Sequence, residues 1–390
     1  MARDRHDDVA AAAKFVHGRQ KTMKNYLCGC NQGATLFFDS VSCTVCGRMV
    51  GYCPDRLKVF SFDLVEEPNL WHPCGDESPT QYRQCANYHV EQVCNWMVQA
   101  SDPEPFCRAC RLNGIIPNLT PPQHHEYWAR LEVAKRRTLH TLLELGFDVP
   151  GKKEDPVNGL QFLFLSDKES GSEFTRPLAG FDPVYTGHND GDITINLAEA
   201  DEVARTRTRV RLGEDYRTLL GHFRHETGHY FWFLLIASDA ARLQQYRALF
   251  GDETEDYRTA LERYYQTGPR AGWGSEFLTA YATMHPWEDW AETWAHYLHI
   301  VDTLDTAEAF ELQLGGVRVP TVPLPQEEGA SPNDFDTMVN DWMRLAVGIN
   351  ALNRSMGLPD AYPFVLTDPV QKKLAFIHGV IVEAQQRKMV

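Results

Sequence analysis

Ten cysteines occupy positions 28, 30, 43, 46, 53, 74, 85, 94, 107 and 110, and residues 111–390 contain none. So lopsided a distribution divides the chain before any secondary structure is read. It marks an N-terminal module whose folding leans on thiol chemistry, followed by a much longer part that builds its core without sulfur. Cys28-Gly-Cys30 and Cys43-Thr-Val-Cys46 are two short knuckles about a dozen residues apart, the pattern of a zinc ribbon, although the first is a CxC rather than the commoner CxxC. Cys85 and Cys94, with the knuckle Cys107-Arg-Ala-Cys110, offer a second set of four. Four thiolates close a zinc coordination sphere, so both sets read as structural zinc. A module this small folds on its metal. Cys53 and Cys74 are left over as buried or free thiols, each able to replace an assigned ligand, with His72 and His89 as weaker substitutes. The rival reading is five disulfides. The chain opens Met-Ala-Arg-Asp-Arg-His-Asp-Asp, without the apolar stretch of a secretory signal, so zinc in a reducing cytoplasm is the expectation.

In the second part, residues 225–229 read His225-Glu226-Thr-Gly228-His229. Leu219, Leu220, Phe223, Tyr230, Phe231 and Leu234 recur around this string at spacings of three and four, the signal of a helix, and the run is apolar on most sides, so the helix is buried. Positions i and i+4 share a helical face, so both imidazoles can point at one ion. Glu226 is placed to reach a water on that ion as general base. Gly228 costs about 1 kcal/mol relative to alanine inside a helix, which implies that something packs closely there.

A catalytic zinc takes three protein ligands and keeps one position open. The third is sought downstream, in Tyr281 to Tyr297. Pro286 opens a helix there, and Trp287, Trp290, Ala291, Trp294, Ala295 and Leu298 form its buried stripe. Glu288 and Glu292 stand four apart on one face. Two carboxylates among tryptophans are costly unless a metal or a hydrogen-bonded histidine neutralises them. Glu288-Asp-Trp-Ala-Glu292 resembles the second helix of gluzincin metallopeptidases. That resemblance implies that Glu288 binds zinc and that Glu292 holds a histidine ligand by hydrogen bond. A competing frame makes Glu292 the ligand and His296 its supporter. His285 and Asp289 read as surface or capping groups. Tyr281, seven residues before Glu288, is the candidate donor to the oxyanion, since some gluzincin-like enzymes use a tyrosine beside the metal in this way.

The chain also resembles, over most of its length, a bacterial family of zinc-binding metallopeptidases with an N-terminal zinc ribbon. The likeness lies in Tyr26 to Asp55, in Tyr82-Arg-Gln-Cys-Ala-Asn-Tyr, in Cys94-Asn-Trp and in Phe106-Cys-Arg-Ala-Cys-Arg-Leu. It continues in Thr194-Ile-Asn-Leu-Ala-Glu-Ala-Asp201, in Tyr216 to Tyr230 and in His285 to Tyr297. It implies a zincin-like α+β fold, mostly helical with a small sheet, and peptidase activity.

The expected organisation is a tail over residues 1–25, a ribbon module over 26–117 and a zincin-like domain over 118–390, with Asn118 to Pro122 as the junction. The tail has six Lys/Arg against three Asp, a net +3, while the whole chain carries −15. Acidic balance argues against nucleic acid as a partner. No apolar run approaches the roughly twenty residues of a membrane span. Tyr127 to Leu145 reads as an amphipathic helix, Leu160 to Leu165 as a short apolar strand, Leu314 to Asp334 as a loop, and Phe335 to Met356 and Pro369 to Gln385 as helices. Ile193, Thr194, Ile195 and Asn196 alternate as a half-buried strand and are the candidate edge for an extended substrate. The leading expectation is a cytoplasmic zinc peptidase acting on peptides or proteins. It uses one catalytic and two structural zinc ions, and the ribbon recruits the substrate. The alternatives are a ribbon adaptor with an idle zinc site and a zinc amidohydrolase acting on a small molecule.

Overall fold

The structure is a computed structural model that describes residues 26–30, 33–65, 69–166, 186–212 and 218–389. The tail expected over residues 1–25 and part of the lead-in to the HExxH helix lie outside them. The fold is α+β. It begins with Tyr26–Leu27 (β1), paired antiparallel with Thr35–Leu36 (β2). A five-stranded antiparallel sheet follows: Met49–Cys53 (β3), Lys58–Leu64 (β4), Trp71–Pro73 (β5), Tyr82–Gln84 (β6) and Met97–Gln99 (β7), in sequence order. Short connections make neighbours in sequence neighbours in space. One helical turn, Ala86–His89 (α1), lies between the last two strands.

A second sheet holds Asn113–Ile115 (β8), Gln161–Leu165 (β9), Gly187–Asn189 (β10) and Asp192–Asn196 (β11), in the order β10-β11-β9-β8. β9 is parallel to both β8 and β11, whereas β10 and β11 are antiparallel. Their turn is Asp190-Gly191, with φ of 48° and 83°; two positive φ values in a two-residue loop give the hairpin turn whose twist matches the strands. This sheet bears on two expectations. The division at 117/118 falls after β8, which belongs to the segment assigned to the ribbon yet pairs with β9, so the two parts share a sheet. Ile193, Thr194, Ile195 and Asn196 lie on β11, which is paired on both sides and has no free edge; among the described residues the edge strands of this sheet are β10, beside β11, and β8. Alternation did give the buried face, Ile193 and Ile195, because it reports which way side chains point and not which strand lies alongside.

The helices are Pro122–Glu144 (α2), Glu202–Leu212 (α3), Leu219–Trp232 (α4), Ala240–Phe250 (α5), Tyr257–Thr267 (α6), Pro286–Ala309 (α7), Phe335–Ser355 (α8) and Asp368–Met389 (α9). A small hairpin, Gln313–Leu314 (β12) with Val317–Arg318 (β13), starts the segment expected as a loop. Thr218 caps α4 by accepting from the Gly221 N–H, and His285 caps α7 by accepting from the Trp287 N–H ahead of Pro286. α4 packs against α7, where Phe231 stacks on Trp294 at 5.0 Å between ring centroids. α2, α4 and α7 are tied by a buried ion pair between Arg224 and Asp302, to which Thr141 Oγ1 also donates at 2.7 Å. Apolar burial is continuous from Tyr26 in the ribbon through Trp128 and Leu139 of α2 to Ile381 of α9. Among the described residues no helix is long and apolar enough to cross a membrane.

Candidate metal centre

Four-residue spacing on α4 puts His225 and His229 on one face, and the cap at His285 sets Glu288 in the first turn of α7 opposite them. One donor atom from each of the three lies within 4.8 Å of the others. His225 Nε2 is 3.0 Å from Glu288 Oε2, and His229 Nε2 is 3.5 Å from Oε1. The other nitrogen of His225, Nδ1, lies 2.6 Å from Glu292 Oε1, and Thr279 Oγ1 donates to Glu292 Oε2 at 2.8 Å. Glu292 thus stands behind His225, where a carboxylate fixes the tautomer and orientation of a ligating imidazole. His296 turns instead to the Tyr362 hydroxyl, at 3.0 Å. The arrangement is that of the frame with Glu288 facing both imidazoles.

Gly228 has its reason in this packing. A Cβ there would stand 3.0 Å from Ala291 Cα and 3.2 Å from Trp294 Cβ, and the Trp290 indole donates to the Gly228 carbonyl at 2.8 Å. Without that side chain α4 and α7 come close enough for three ligands to converge.

The electrostatics are those of a cation site. Burial works against charge on His225, but the carboxylates of Glu288 and Glu292 outweigh it and hold the imidazole well above its usual pKa. Burial pushes Glu288 up, yet His229 and His225 hold it well below the carboxylate range. Glu292 is lowered too, against its burial, chiefly by His225. Glu226 is buried beside them and burial raises its carboxyl; its Oε2 has no hydrogen-bond partner. A buried carboxylate oxygen without a partner is costly. One that feels the charges of two imidazoles and a carboxylate fits a centre that binds zinc and a water.

The neighbours were less legible. Tyr257 on α6 donates to Glu288 Oε1 at 2.9 Å. Nothing in the sequence singles it out: it is one of fifteen tyrosines, on a helix with one buried residue, and the chain folds back to bring it here. Tyr281 is nearby, its ring 6.2 Å from that of His225, and its phenol interacts with that of Tyr257. The hydroxyl that reaches Glu288 is therefore Tyr257's. His285 caps as read, but it is buried, and Asp289 is no surface group: it is buried in an ion pair with Lys373 of α9, Nζ–Oδ2 2.6 Å.

Both cysteine sets also converge. Cys28, Cys30, Cys43 and Cys46 form one group and Cys85, Cys94, Cys107 and Cys110 another. Cys28 and Cys46 Sγ stand 3.6 Å apart, and Cys94 and Cys107 Sγ 3.8 Å. Two thiolates about 2.3 Å from a tetrahedral zinc stand about 3.8 Å apart, so these separations suit shared metal, and none of the ten cysteines is in a disulfide. The second group accepts N–H donors from Trp96 to Cys94 and from Cys107 to Cys85, each at 3.3 Å, and Arg136 of α2 is buried beside it, where Cys94 and Glu132 first, then Cys110 and Cys107, raise its pKa against burial. Cys53 is buried in β3, and Cys74 lies against the first knuckle, its Sγ 3.5 Å from the Gly29 carbonyl.

A ribbon of thiolate clusters joined to a helical domain with a two-histidine, one-glutamate centre defines the class of zinc-binding metallopeptidases. The chain belongs to the family described as "putative zinc-binding metallo-peptidase", whose model matches residues 124–380, and a zinc-ribbon domain model matches residues 25–121. It is 40% identical over 361 residues to a protein of Mycobacterium bovis and to proteins of two Mycobacterium tuberculosis strains, each described as uncharacterized; the match spans 93% of this chain and 96% of theirs. No solved structure matches it.

Proposed function

We propose that this chain is a zinc-dependent peptidase that hydrolyses peptide bonds of peptide or protein substrates with Glu226 as general base. The observation that carries the reading is the convergence of His225, His229 and Glu288 next to the unpartnered Oε2 of Glu226. These three residues would hold the zinc, which would supply Lewis acidity and lower the pKa of a water. Glu226 takes the water's proton as the new C–O bond forms and passes it to the leaving amine nitrogen as the C–N bond breaks. Burial already favours the protonated form of Glu226, which suits a group that must hold a proton between the two steps. Glu292 keeps Nδ1 of His225 engaged so that Nε2 faces the ion. To Tyr281 we assign hydrogen-bond donation to the charge that develops on the carbonyl oxygen, while Tyr257, which donates to Glu288, holds that carboxylate in place. To the ribbon, with two structural zinc ions, we assign recruitment of the substrate; its first cysteine segment exposes Leu27, Phe37, Val41 and Val45.

The test is cleavage of a diverse peptide library by the wild type and by Glu226→Gln, with zinc counted in both. The variant is expected to lose cleavage by at least about 100-fold and to keep all three zinc ions. Undiminished turnover by Glu226→Gln sinks the mechanism, and a wild type with one zinc per chain removes the ribbon sites.

A further inference from the structure

The metal centre has an aromatic flank that the hydrolytic step does not use. Phe233 follows His229 by four residues, so it stands on the same helix face one turn further on. There the helix leaves α geometry: Phe233–Ala237 is a π turn, a distortion that weakens the hydrogen-bond ladder and recurs at functional sites. Phe233 is 40% exposed. His188, on the edge strand β10, bridges it to the metal ligands. Its ring lies 6.2 Å from that of His229, 16° from parallel, and 5.8 Å from that of Phe233. His188 Nε2 accepts the Gly191 N–H at 3.0 Å, so its own hairpin fixes the ring and leaves the proton on Nδ1. On the other side Trp287, the residue before Glu288, lies 5.6 Å from the Phe233 ring. Its indole N–H is buried without a partner.

We propose that His188, Phe233 and Trp287 form the specificity subsite of this centre, and that it takes an aromatic or large aliphatic side chain flanking the scissile bond of an extended peptide. The assignment rests on the peptidase reading above. Among the described residues no strand covers the outer edge of β10, so a peptide can add there through main-chain hydrogen bonds that carry no side-chain preference. Preference then comes from what the alternate side chains meet, and the one beside His188 meets three rings. An apolar ring or chain gains contact on their faces. A charged side chain gives up hydration against these ring faces.

Two measurements separate this proposal from the reading beneath it. In the first, the zinc-loaded wild type, Phe233→Leu and Phe233→Asp are profiled with peptides that vary one position at a time. The wild type is expected to favour Phe, Trp or Leu over Ala at one position next to the cleaved bond by about tenfold or more in kcat/KM. Phe233→Leu is expected to keep an aliphatic preference. Phe233→Asp is expected to lose the apolar preference and to accept Lys or Arg at that position. In the second, phenylalanine hydroxamate and alanine hydroxamate are titrated calorimetrically into the same zinc-loaded proteins, the hydroxamate anchoring on the metal whether or not any peptide is cut. The phenylalanine compound is expected to bind about tenfold more tightly to the wild type and to lose that advantage in Phe233→Asp. A flat wild-type peptide profile with equal hydroxamate affinities overturns the subsite. So does a Phe233→Asp protein that holds its zinc and keeps both wild-type preferences. Hydroxamate selectivity without cleavage of any peptide leaves the subsite standing and removes the peptidase reading instead.

Discussion

Replacing Gly228 with alanine sets two known effects against each other at the point where the metal centre is built. Helix propensity favours the change by about 1 kcal/mol, since glycine is the costlier residue inside a helix. Packing opposes it. The new Cβ would meet Ala291 Cα at 3.0 Å, a backbone atom of α7 that cannot rotate away, and Trp294 Cβ and Cδ1 at 3.2 Å. Ordinary contact needs several tenths of an ångström more, so α4 and α7 must separate, and overpacking of this kind costs about 1–3 kcal/mol. The balance is a net destabilisation of about 0–2 kcal/mol, small for a chain of this size. The larger consequence falls on the metal. His225 and His229 ride on α4 while Glu288 and Glu292 ride on α7, so separating the helices moves the ligands apart and stretches the 2.6 Å His225–Glu292 bond. Competition with a chelator for the most weakly held zinc, together with urea unfolding of the zinc-loaded protein, reads both effects. Zinc affinity is expected to fall about tenfold or more while stability changes little. A Gly228→Ala protein that is about 1 kcal/mol more stable and binds zinc as before would refute the argument, because it would mean that the close approach is slack.

Glu292→Ala removes the acceptor of His225 Nδ1 without touching the metal side of the centre. Zinc affinity at this site is expected to drop about 10–100-fold, with the two cysteine sites still filled, as metal analysis after graded dialysis would show; an unchanged affinity would contradict the role given to Glu292. Zinc binding is also expected to release protons. In the metal-free chain Glu288 and Glu292, outweighing burial, raise the His225 pKa, so below that raised value the ring is protonated and zinc must displace the proton. Apparent affinity should therefore rise with pH up to the raised pKa and level off above it. Calorimetry in buffers of different ionisation enthalpy counts the protons, and a count of zero at neutral pH would contradict the assignment.

The centre was legible in the sequence to different depths. The histidine pair and Glu226 could be read because the helix fixes which residues share a face, and the lone Gly228 correctly signalled a close neighbour without saying which. Glu288 and Glu292 stood out as carboxylates among tryptophans, but spacing alone left both frames open; only the opposition of α7 to α4 shows which carboxylate faces Nε2 and which faces Nδ1. Tyr257 and His188 could not be found, since each reaches the metal side through the path of the chain and neither carries a local pattern tied to the HExxH string; Phe233, four residues after His229, shares the ligand face by spacing but reads in the sequence as one more apolar residue of the helix. For β11 the alternation gave the buried face, yet the edge on that side went to β10, because a tight Asp190-Gly191 hairpin lays one more strand alongside.

By itself, then, the sequence determined the local chemistry: two cysteine quartets spaced for zinc, a helix presenting two imidazoles and a carboxylate, and a second helix rich in tryptophan with two acids one turn apart. These follow from interactions within a few residues, where backbone geometry leaves little choice. The tertiary structure decided everything that depends on non-local packing. It joined β8 of the ribbon segment to β9, so that what read as two modules shares a sheet and a continuous core. It chose Glu288 over Glu292 as the carboxylate facing both imidazoles, and it set an aromatic flank beside them. Those outcomes turn on which surfaces meet, and a one-dimensional pattern records which surfaces are apolar without recording what they pack against.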